Sequence, residues 1–321
     1  MKVCVIGSEK KSESTMKIFN ALKESNRFDS VFFAPTEKIR IGVKNGDFPI
    51  FYRDTDLTTF DAVMPRIGSS KALFGYLITK YLRKANVYVP FTPEAVFISH
   101  DKYLTLSKLN EAKIPVPETY LTMSPPTAKR IIKEMKFPVV MKLLGGSGGK
   151  GVMFADKENT AISLIDTLNV LKQPLFIEKY IKNPGEDIRI IVIGDEVVAA
   201  MKRISTNGDL RANLSSGGKG VIYKPDTEMK EIAIKAAKTI GAEICGVDFV
   251  QGKKGPAVIE VNICPGMKIS DITGFNVQKR IAEFIAERTE EYKSIYGSRG
   301  LSEYIERELL KVSKWLKEAF E

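Results

Sequence analysis

Three oxygen-bearing side chains near the carboxyl end have the types and spacing of a metal site. Asp248 lies on one predicted strand, and Glu260 and Asn262 lie two positions apart on the next. Residues at alternate positions of a strand share a face, and a turn centred on Lys254 would pair Asp248 with Glu260. Buried carboxylates without a cation are costly, and neither strand carries Lys or Arg. A divalent metal is therefore favoured over a salt bridge, although a one-residue change of register would break the pairing.

A glycine-rich run and two lysines have the composition of a phosphate site. Residues 145–151, GGSGGKG, place five glycines within seven positions directly after a predicted strand. Such a run lets several backbone N–H groups approach an anion closely, but it is not a Walker loop, because no G-K-[ST] follows. Lys102 opens a predicted helix and Lys142 ends the strand before the run, and lysine gives a phosphate a compact charge. The alternative is a flexible hairpin tip with ordinary surface lysines.

The elements that must position these residues begin with alternating strands and helices. The strand-like segments are Val3–Ile6, Val31–Phe33 and Asp61–Met64, and a helical pattern covers Ser14–Lys23. This alternation predicts a small parallel α/β domain, continued by a helix over residues 69–85.

The remaining chain supplies the strands and helices around the motifs. Strands are expected at 138–142, 175–178, 247–250 and 257–262, and helices at 101–110, 127–136, 160–171 and 229–240. Residues 187–200 predict a hairpin with its turn at Gly194-Asp195, and Gly241 is expected to end the helix before it. A charged tail follows from about residue 288, and its last helix is predicted to begin after Ser302.

Composition excludes several classes of protein. The 321 residues are enough for two or three domains, and no segment approaches the roughly 18 apolar residues that cross a bilayer. Three cysteines without a pattern indicate a reducing cytosol, and a single histidine, His100, removes most zinc sites and catalytic triads. The net charge of +10 is spread along a chain with only three Gln, which indicates a thermophile rather than a nucleic-acid-binding protein.

The motifs also occur in a specific order. They are Asp101-Lys102, the strand ending at Lys142 with its glycine run, IEKYI at 177–181, DIR at 187–189, and Asp248 followed by EVN at 260–262. A second set is PRIG at 65–68, GDEVVAA at 194–200, RANL at 211–214, GG at 217–218 and EVNICPG at 260–266. Over about residues 60–290 this order resembles the ATP-grasp superfamily and, within it, the RimK-type amino-acid ligases, which add glutamate to a carboxylate acceptor.

The resemblance implies a fold and a set of site residues. The fold is α/β (α+β): an ATP-grasp fold that follows an N-terminal parallel α/β pre-ATP-grasp domain in the chain, with ATP held between two lobes. The implied ATP-binding residues are Lys102, Lys142, Gly146, Ser147, Gly148, Gly149, Gly151, Glu178, Lys179, Ile181 and Asp187. Two Mg²⁺ or Mn²⁺ ions would be held by Asp248, Glu260 and Asn262, and the γ-phosphate and the intermediate would face Arg203, Arg211 and Asn213.

Three of these residues have structural alternatives. Arg66 could bind a substrate carboxylate or form a salt bridge at a domain interface. Lys179 could be solvated, and Arg203 could belong to a structural ion pair.

The expected domains are 1–97, the pre-ATP-grasp domain; 98–183, the central lobe; 184–288, the metal-bearing lobe; and 289–321, a helical extension. The expected enzyme is a cytoplasmic, ADP-forming acid–amino-acid ligase that joins glutamate to a peptide or protein C-terminus or to a glutamyl-tailed cofactor. The alternatives are a carrier-protein ligase of amino-acid biosynthesis and a non-catalytic ATP-binding module. No nucleic-acid or membrane partner is expected, and the chain could form a homo-oligomer.

Overall fold

A computed structural model of the chain describes residues 1–144, 151–182, 185–205 and 218–296. The chain divides into two compact units. The smaller unit contains Met1–Arg66, Leu77–Pro90 and the chain from Lys279, and the larger contains Ile67–Tyr76 and Phe91–Gln278.

A three-stranded parallel sheet forms the core of the smaller unit. Its strands, in the spatial order β2, β1, β6, are β1 Lys2–Gly7, β2 Ser30–Pro35 and β6 Ala62–Pro65. Helix α1, Glu13–Glu24, contacts β1 and β2, and Ile18 and Leu22 on its inner face are fully buried. The expected parallel α/β arrangement is therefore confirmed, because β-branched strands and an amphipathic crossover helix bury one another.

A second, small antiparallel sheet in this unit was not predicted. It consists of β3 Ile39–Ile41, β4 Ile50–Tyr52 and β5 Thr55–Asp56. Strands of two or three residues are too short to show the alternation by which strands are recognised. Helix α2, Ala72–Lys84, follows a 3₁₀ turn at Ser69–Lys71, so the helix predicted over 69–85 begins three residues late.

The first half of the larger unit is a four-stranded antiparallel sheet with helices. The elements are α3 Pro93–His100, α4 Lys102–Glu111, β7 Thr119–Thr122, α5 Pro125–Met135, β8 Val139–Lys142, β9 Val152–Ala155, α6 Glu158–Val170 and β10 Leu175–Lys179. The strand order is β7, β10, β8, β9, and α5 and α6 share its apolar core. The helix predicted over 127–136 begins two residues earlier, because Pro125 and Pro126 form its first turn, where a missing N–H costs nothing.

The second half of the larger unit is a five-stranded antiparallel sheet in the order β13, β12, β11, β14, β15. Its strands are β11 Glu186–Ile193, β12 Glu196–Ile204, β13 Lys219–Ile222, β14 Ile244–Gly252 and β15 Gly255–Asn262. Helix α7, Thr227–Ile240, packs on β11, β12, β14 and β15 and ends, as predicted, at Gly241 with φ +82°. The predicted turn at Gly194-Asp195 joins β11 to β12.

The last described elements are α8, Lys268–Thr273, and a helix over residues 277–296. The predicted helix after Ser302 lies outside the described residues. Within the described part of the chain, no helix combines the length and the apolar character needed to cross a membrane.

Candidate active site

The hairpin of β14 and β15 places two carboxylates opposite each other. Asp248 pairs with Glu260, as the sequence predicts, and the turn is a two-residue one between Gly252 and Gly255. That turn alone would pair Asp248 with Ile259; a register shift next to Asp248 adds one residue to β15 and restores the pairing with Glu260. The register that the metal hypothesis needs is therefore produced by a β-bulge.

The neighbouring strands add charges on the same face of this sheet. Arg189 on β11 pairs directly with Asp248, and Asp187, two residues earlier, pairs with Arg203 on β12. Residues two apart, or directly opposite across a ladder, point to the same side. One face of the sheet therefore carries two arginines and two aspartates in addition to Glu260.

These four side chains form a buried ion-pair network, which we call the arginine–aspartate network (Asp187, Arg189, Arg203 and Asp248). Arg189 Nε lies 2.7 Å from Asp248 Oδ1, and its Nη2 lies 2.6 Å from Oδ2. Arg203 Nη2 donates to Asp248 Oδ2 at 2.9 Å, and its Nε donates to Asp187 Oδ1. Arg203 and Asp248 are 3% and 1% exposed.

The network corrects one step of the sequence argument. The hairpin itself carries no cation, and its sequence therefore favours a metal over a salt bridge. In the structure, however, cations from β11 and β12 neutralise Asp248. Asp248 therefore forms the salt bridges that are the alternative to a metal. The same contacts show the alternative considered for Arg203, a buried ion pair.

The two aspartates of the network have opposite pKa shifts. Burial raises the pKa of Asp187 to about 6, and the charge of Arg203 offsets only part of that effect. Burial acts on Asp248 in the same direction, but Arg189 and Arg203 together outweigh it and lower its pKa to about 2. The pKa of Arg203 is raised because the two carboxylates outweigh its burial. Asp248 is accordingly a permanent anion at neutral pH.

A second buried ion pair lies on the four-stranded sheet. Lys142 Nζ is 2.7 Å from both carboxylate oxygens of Glu178, and the two side chains are only 11% and 7% exposed. Because Lys142 pairs with Phe176 in the ladder, Glu178 is its diagonal neighbour on the same face. A predicted phosphate ligand and a predicted nucleotide ligand are thus brought into contact.

Lys102 connects this pair with the oxygen cluster. It is the first residue of α4, after the N-cap Asp101, and its Nζ donates to the carbonyl oxygen of Leu144 at 3.2 Å. Burial lowers the pKa of Lys102, while the charge of Glu260 opposes the shift and that of Lys142 adds to it. The predicted ligands Lys142 and Glu260 therefore both lie within electrostatic reach of Lys102.

A cavity of about 220 Å³ lies beside Lys102. Its lining residues are Gly68, Ser69, Ser99, His100, Lys102, Thr105, Ile259, Glu260, Asn262 and Cys264. Asn262 Oδ1 accepts a hydrogen bond from the backbone N–H of Cys264 at 2.8 Å, which orients its amide. Among the described residues, no carboxylate-binding Lys or Arg lies within ion-pair distance of Glu260, in contrast to Asp248.

His100 and Cys264 contact a common backbone atom in this cavity. His100 Nε2 lies 3.0 Å from the carbonyl oxygen of Ile67, and Cys264 Sγ lies 3.8 Å from the same oxygen. Burial lowers the pKa of His100, so the imidazole is neutral at physiological pH. The sequence suggests no role for either residue, although Cys264 belongs to the EVNICPG stretch at 260–266.

The remaining predicted residues are less closely grouped. Lys179 is exposed and paired with Glu118 at 3.3 Å, which agrees with its solvated alternative. Ile181 packs so closely on the hairpin turn that a side chain at Gly252 would meet it at 2.7 Å. Gly151 has φ +79°, and its carbonyl accepts from Leu143 N–H at 2.9 Å, which closes the base of the loop.

Two groups of predicted residues remain. Gly146, Ser147, Gly148 and Gly149, with Arg211 and Asn213, are outside the described residues. Arg66 belongs to the smaller unit, where its backbone N–H donates to the carbonyl of Ile6 at 2.7 Å.

Sequence reasoning missed Arg189. It belongs to the DIR motif at 187–189, but it received no role. Its position two residues after Asp187 on one strand was the available signal, because that spacing places both side chains on one face.

Two sequence profiles cover almost the whole described chain. The profile of the RimK pre-ATP-grasp domain matches residues 1–96, and that of the RimK-like ATP-grasp domain matches residues 99–285. The chain belongs to the RimK-like ATP-grasp family. As a member of this family it is an enzyme, an ADP-forming ligase that joins a carboxylate to an amine with ATP.

Named relatives agree with the RimK-like assignment. A probable alpha-L-glutamate ligase of Nitrosococcus oceani is 35% identical over 89% of this chain and 95% of its own length. A probable alpha-L-glutamate ligase of Thioalkalivibrio sulfidiphilus is 32% identical over 94% of this chain and 100% of its own length. The ATP-grasp ligase PsnB, solved with a minimal precursor, Mg and ADP, shares the fold with a TM-score of 0.71 at 17% identity, covering 89% of this chain and 97% of PsnB.

Proposed function

We propose that the protein is a Mg²⁺-dependent glutamate ligase that converts an acceptor carboxylate to an acyl phosphate and joins it to the amine of L-glutamate. The observation that carries the proposal is the convergence, in one unit, of the lysines Lys102 and Lys142 with the carboxylate of Glu260, which forms no ion pair with any residue that the structure describes. Cations for phosphates beside oxygens for a metal are the two requirements of phosphoryl transfer. The names of the curated relatives support glutamate as the amino acid.

The residues around Lys142 suit a nucleotide. Lys142 and Lys102 would contact the phosphates, and Glu178 would orient Lys142 through its two hydrogen bonds. The backbone next to Ile181 would contact the base, with Lys179 at the exposed rim. The loop 145–151 would cover the phosphates and keep water from the acyl phosphate.

The hairpin residues fit a divalent cation. Asp248, Glu260 and Asn262 offer only oxygen donors, which Mg²⁺ and Mn²⁺ prefer. Within the described part of the chain, Asp248 Oδ1 accepts a single N–H, so one of its acceptor positions remains available. A cation bound there would neutralise the charge that develops on the transferred phosphoryl group. Mn²⁺ in place of Mg²⁺, and a second ion, are part of the same proposal.

The proposed reaction needs no covalent nucleophile from the enzyme. An oxygen of the acceptor carboxylate attacks the γ-phosphorus, the bond to the β-phosphate oxygen breaks, and ADP leaves. Because two anions meet in this step, Arg203, Arg211 and Asn213 are proposed to offset the repulsion. The neutral amine of glutamate then attacks the acyl carbon and loses a proton, and phosphate departs with its bonding electrons. Arg66 would hold a substrate carboxylate.

The acceptor is proposed to be a peptide or protein C-terminus or a glutamyl-tailed cofactor. PsnB, which has the same fold, was also solved with a precursor peptide and AMPPNP, and this supports a peptide acceptor. A carrier-protein ligase of amino-acid biosynthesis is the alternative. The EVNICPG stretch at 260–266 favours the first class, because the motif of carrier-protein ligases typically departs after EVN.

The test combines ADP release with acceptor mass. The purified chain is incubated with ATP, Mg²⁺, each amino acid in turn, and a panel of peptides, glutamyl-tailed cofactors and carrier proteins. We expect ADP release that needs both glutamate and an acceptor, with an acceptor mass gain of glutamyl residues. Glu260→Gln should lower that rate by about 100-fold or more, the scale of losing a main electrostatic contact to the transition state.

The matched control is Glu287→Gln, which changes an exposed carboxylate paired with Arg280 in the other unit. Its turnover should equal that of the native chain. Full turnover by Glu260→Gln would disprove the metal role, and a mass gain from another amino acid would disprove the glutamate assignment.

A further inference from the structure

We infer that Arg189 is a positioning residue for the metal site, because its guanidinium holds Asp248 with one oxygen acceptor position turned toward the cation. The inference rests on the proposed function, since it takes Asp248 as a metal ligand. Arg189 would not touch metal or substrate; it would act through Asp248.

The contact between Arg189 and Asp248 has the geometry of a fork. The residues are direct cross-strand partners on β11 and β14, and Nε and Nη2 reach separate carboxylate oxygens at 2.7 and 2.6 Å. Two parallel bonds fix both the position and the plane of a carboxylate, which one bond leaves free to rotate. The side chains are 14% and 2% exposed, so water does not compete for these bonds.

The hydrogen bonds also decide which oxygen is available. A carboxylate oxygen has about two acceptor positions. Among the residues that the structure describes, Oδ2 accepts from two, Arg189 and Arg203, whereas Oδ1 accepts from one, Arg189. The available position of Asp248 is therefore on Oδ1, and the fork determines its direction.

Charge gives a second reason for an arginine at this place. Asp248 stands directly opposite Glu260 in the ladder, and like charges in that relation destabilise a sheet. Arg189 and Arg203 neutralise Asp248 and thereby let Glu260 remain close to it. Lysine at position 189 would preserve this charge but not the planar fork, so the two contributions can be separated.

The experiment measures Mn²⁺ binding to the full chain without nucleotide, by the electron paramagnetic resonance signal of free Mn²⁺. The variants are Arg189→Lys, Asp248→Asn and the double variant, with Arg280→Lys, a half-buried ion-pair arginine of the other unit, as control. Outer hydrogen-bond partners of metal ligands typically change affinity by 10–100-fold. We expect Arg189→Lys to raise the Mn²⁺ Kd by about tenfold or more, with the Kd of metal-free ADP unchanged.

A merely structural role is excluded by non-additivity. If Arg189 acts through Asp248, then Arg189→Lys adds no further loss of Mn²⁺ affinity in the Asp248→Asn chain. Arg189→Gln, which keeps a neutral donor, serves as the second variant if Arg189→Lys does not fold.

The outcomes separate this inference from the proposed function. If Asp248→Asn binds Mn²⁺ more weakly while Arg189→Lys keeps the native Mn²⁺ Kd, the role of Arg189 is disproved and the metal site is retained. A native Mn²⁺ Kd for Asp248→Asn would overturn both. Losses that add in the double variant would also contradict action through Asp248.

Discussion

The two sheets of the larger unit hold their buried charges differently. On the four-stranded sheet one lysine meets one glutamate, Lys142 and Glu178, across adjacent strands. On the five-stranded sheet three strands contribute to the arginine–aspartate network, in which Asp248 accepts three N–H groups and Asp187 one from the same arginines. Within the network, the number of guanidinium contacts, and not burial alone, decides the direction in which the pKa of each aspartate is shifted.

The largest expected effect is on the free energy of unfolding when one cation is removed from each sheet. Arg203→Met leaves Asp187 without its arginine and takes one of three donors from Asp248. Breaking a buried ion pair costs about 3–5 kcal/mol, and we expect Arg203→Met to lie at the upper end because two carboxylates are affected. Urea unfolding of the full chain measures the loss. A smaller loss in the free energy of unfolding than that of Lys142→Met would contradict the stabilising role assigned to the network.

Lys142→Met should destabilise the four-stranded sheet by about 3 kcal/mol, because Glu178 is left buried without a cation. The double variant Lys142→Met/Glu178→Leu should regain most of the free energy of unfolding, since an apolar pair of similar size replaces two charges. If the double variant does not regain this free energy, Lys142 stabilises the sheet by packing rather than by its charge. The recovered protein should still lack ligase activity, because Lys142 is a proposed phosphate ligand.

The opposite pKa shifts predict opposite effects of pH on stability. The pKa of Asp187 is raised to about 6, so the folded state keeps a proton that the unfolded chain has lost. Its contribution to stability is therefore present below about pH 4 and is lost as the pH rises to about 6, by an amount on the order of 2–3 kcal/mol. Asp248, with its pKa lowered to about 2, contributes above about pH 4 and loses this contribution in acid.

Asp187→Asn isolates the first of these effects. The native chain should lose stability relative to this variant between pH 4 and pH 7, as measured by unfolding at each pH. A difference between the two chains that stays constant over this range would show that Asp187 ionises normally.

The smallest effect is expected at an exposed pair. Lys179 and Glu118 are 52% and 44% exposed, and such pairs contribute less than about 1 kcal/mol. Lys179→Met should therefore leave the free energy of unfolding nearly unchanged, and a larger loss would mean that Lys179 has a buried role. The KM for ATP of the same variant tests whether Lys179 borders the base.

Local signals in the sequence predict much of this fold. Gly241 ends α7, Gly194-Asp195 joins β11 to β12, and Asp248 pairs with Glu260, because glycine turns and strand alternation are short-range features. The β-bulge that completes the last pairing has no comparable signal, and a symmetric two-residue turn would predict a different partner.

The arginine–aspartate network could not be predicted in the same way. Arg189 and Arg203 are separated from Asp248 by 59 and 45 residues. Their contact depends on β11 lying between β12 and β14, an order that is not apparent from any single strand. Charge on a buried hairpin can therefore be balanced from outside it, and the hairpin sequence alone does not reveal this.

The most direct test of the proposed ligase follows one oxygen atom. An acceptor whose terminal carboxylate carries heavy oxygen is incubated with the native chain, ATP, Mg²⁺ and glutamate, and the released phosphate is analysed by mass spectrometry. Attack of the carboxylate on the γ-phosphorus predicts that one heavy oxygen per glutamyl bond appears in the phosphate. Unlabelled phosphate accompanying a glutamylated acceptor would contradict the acyl-phosphate route.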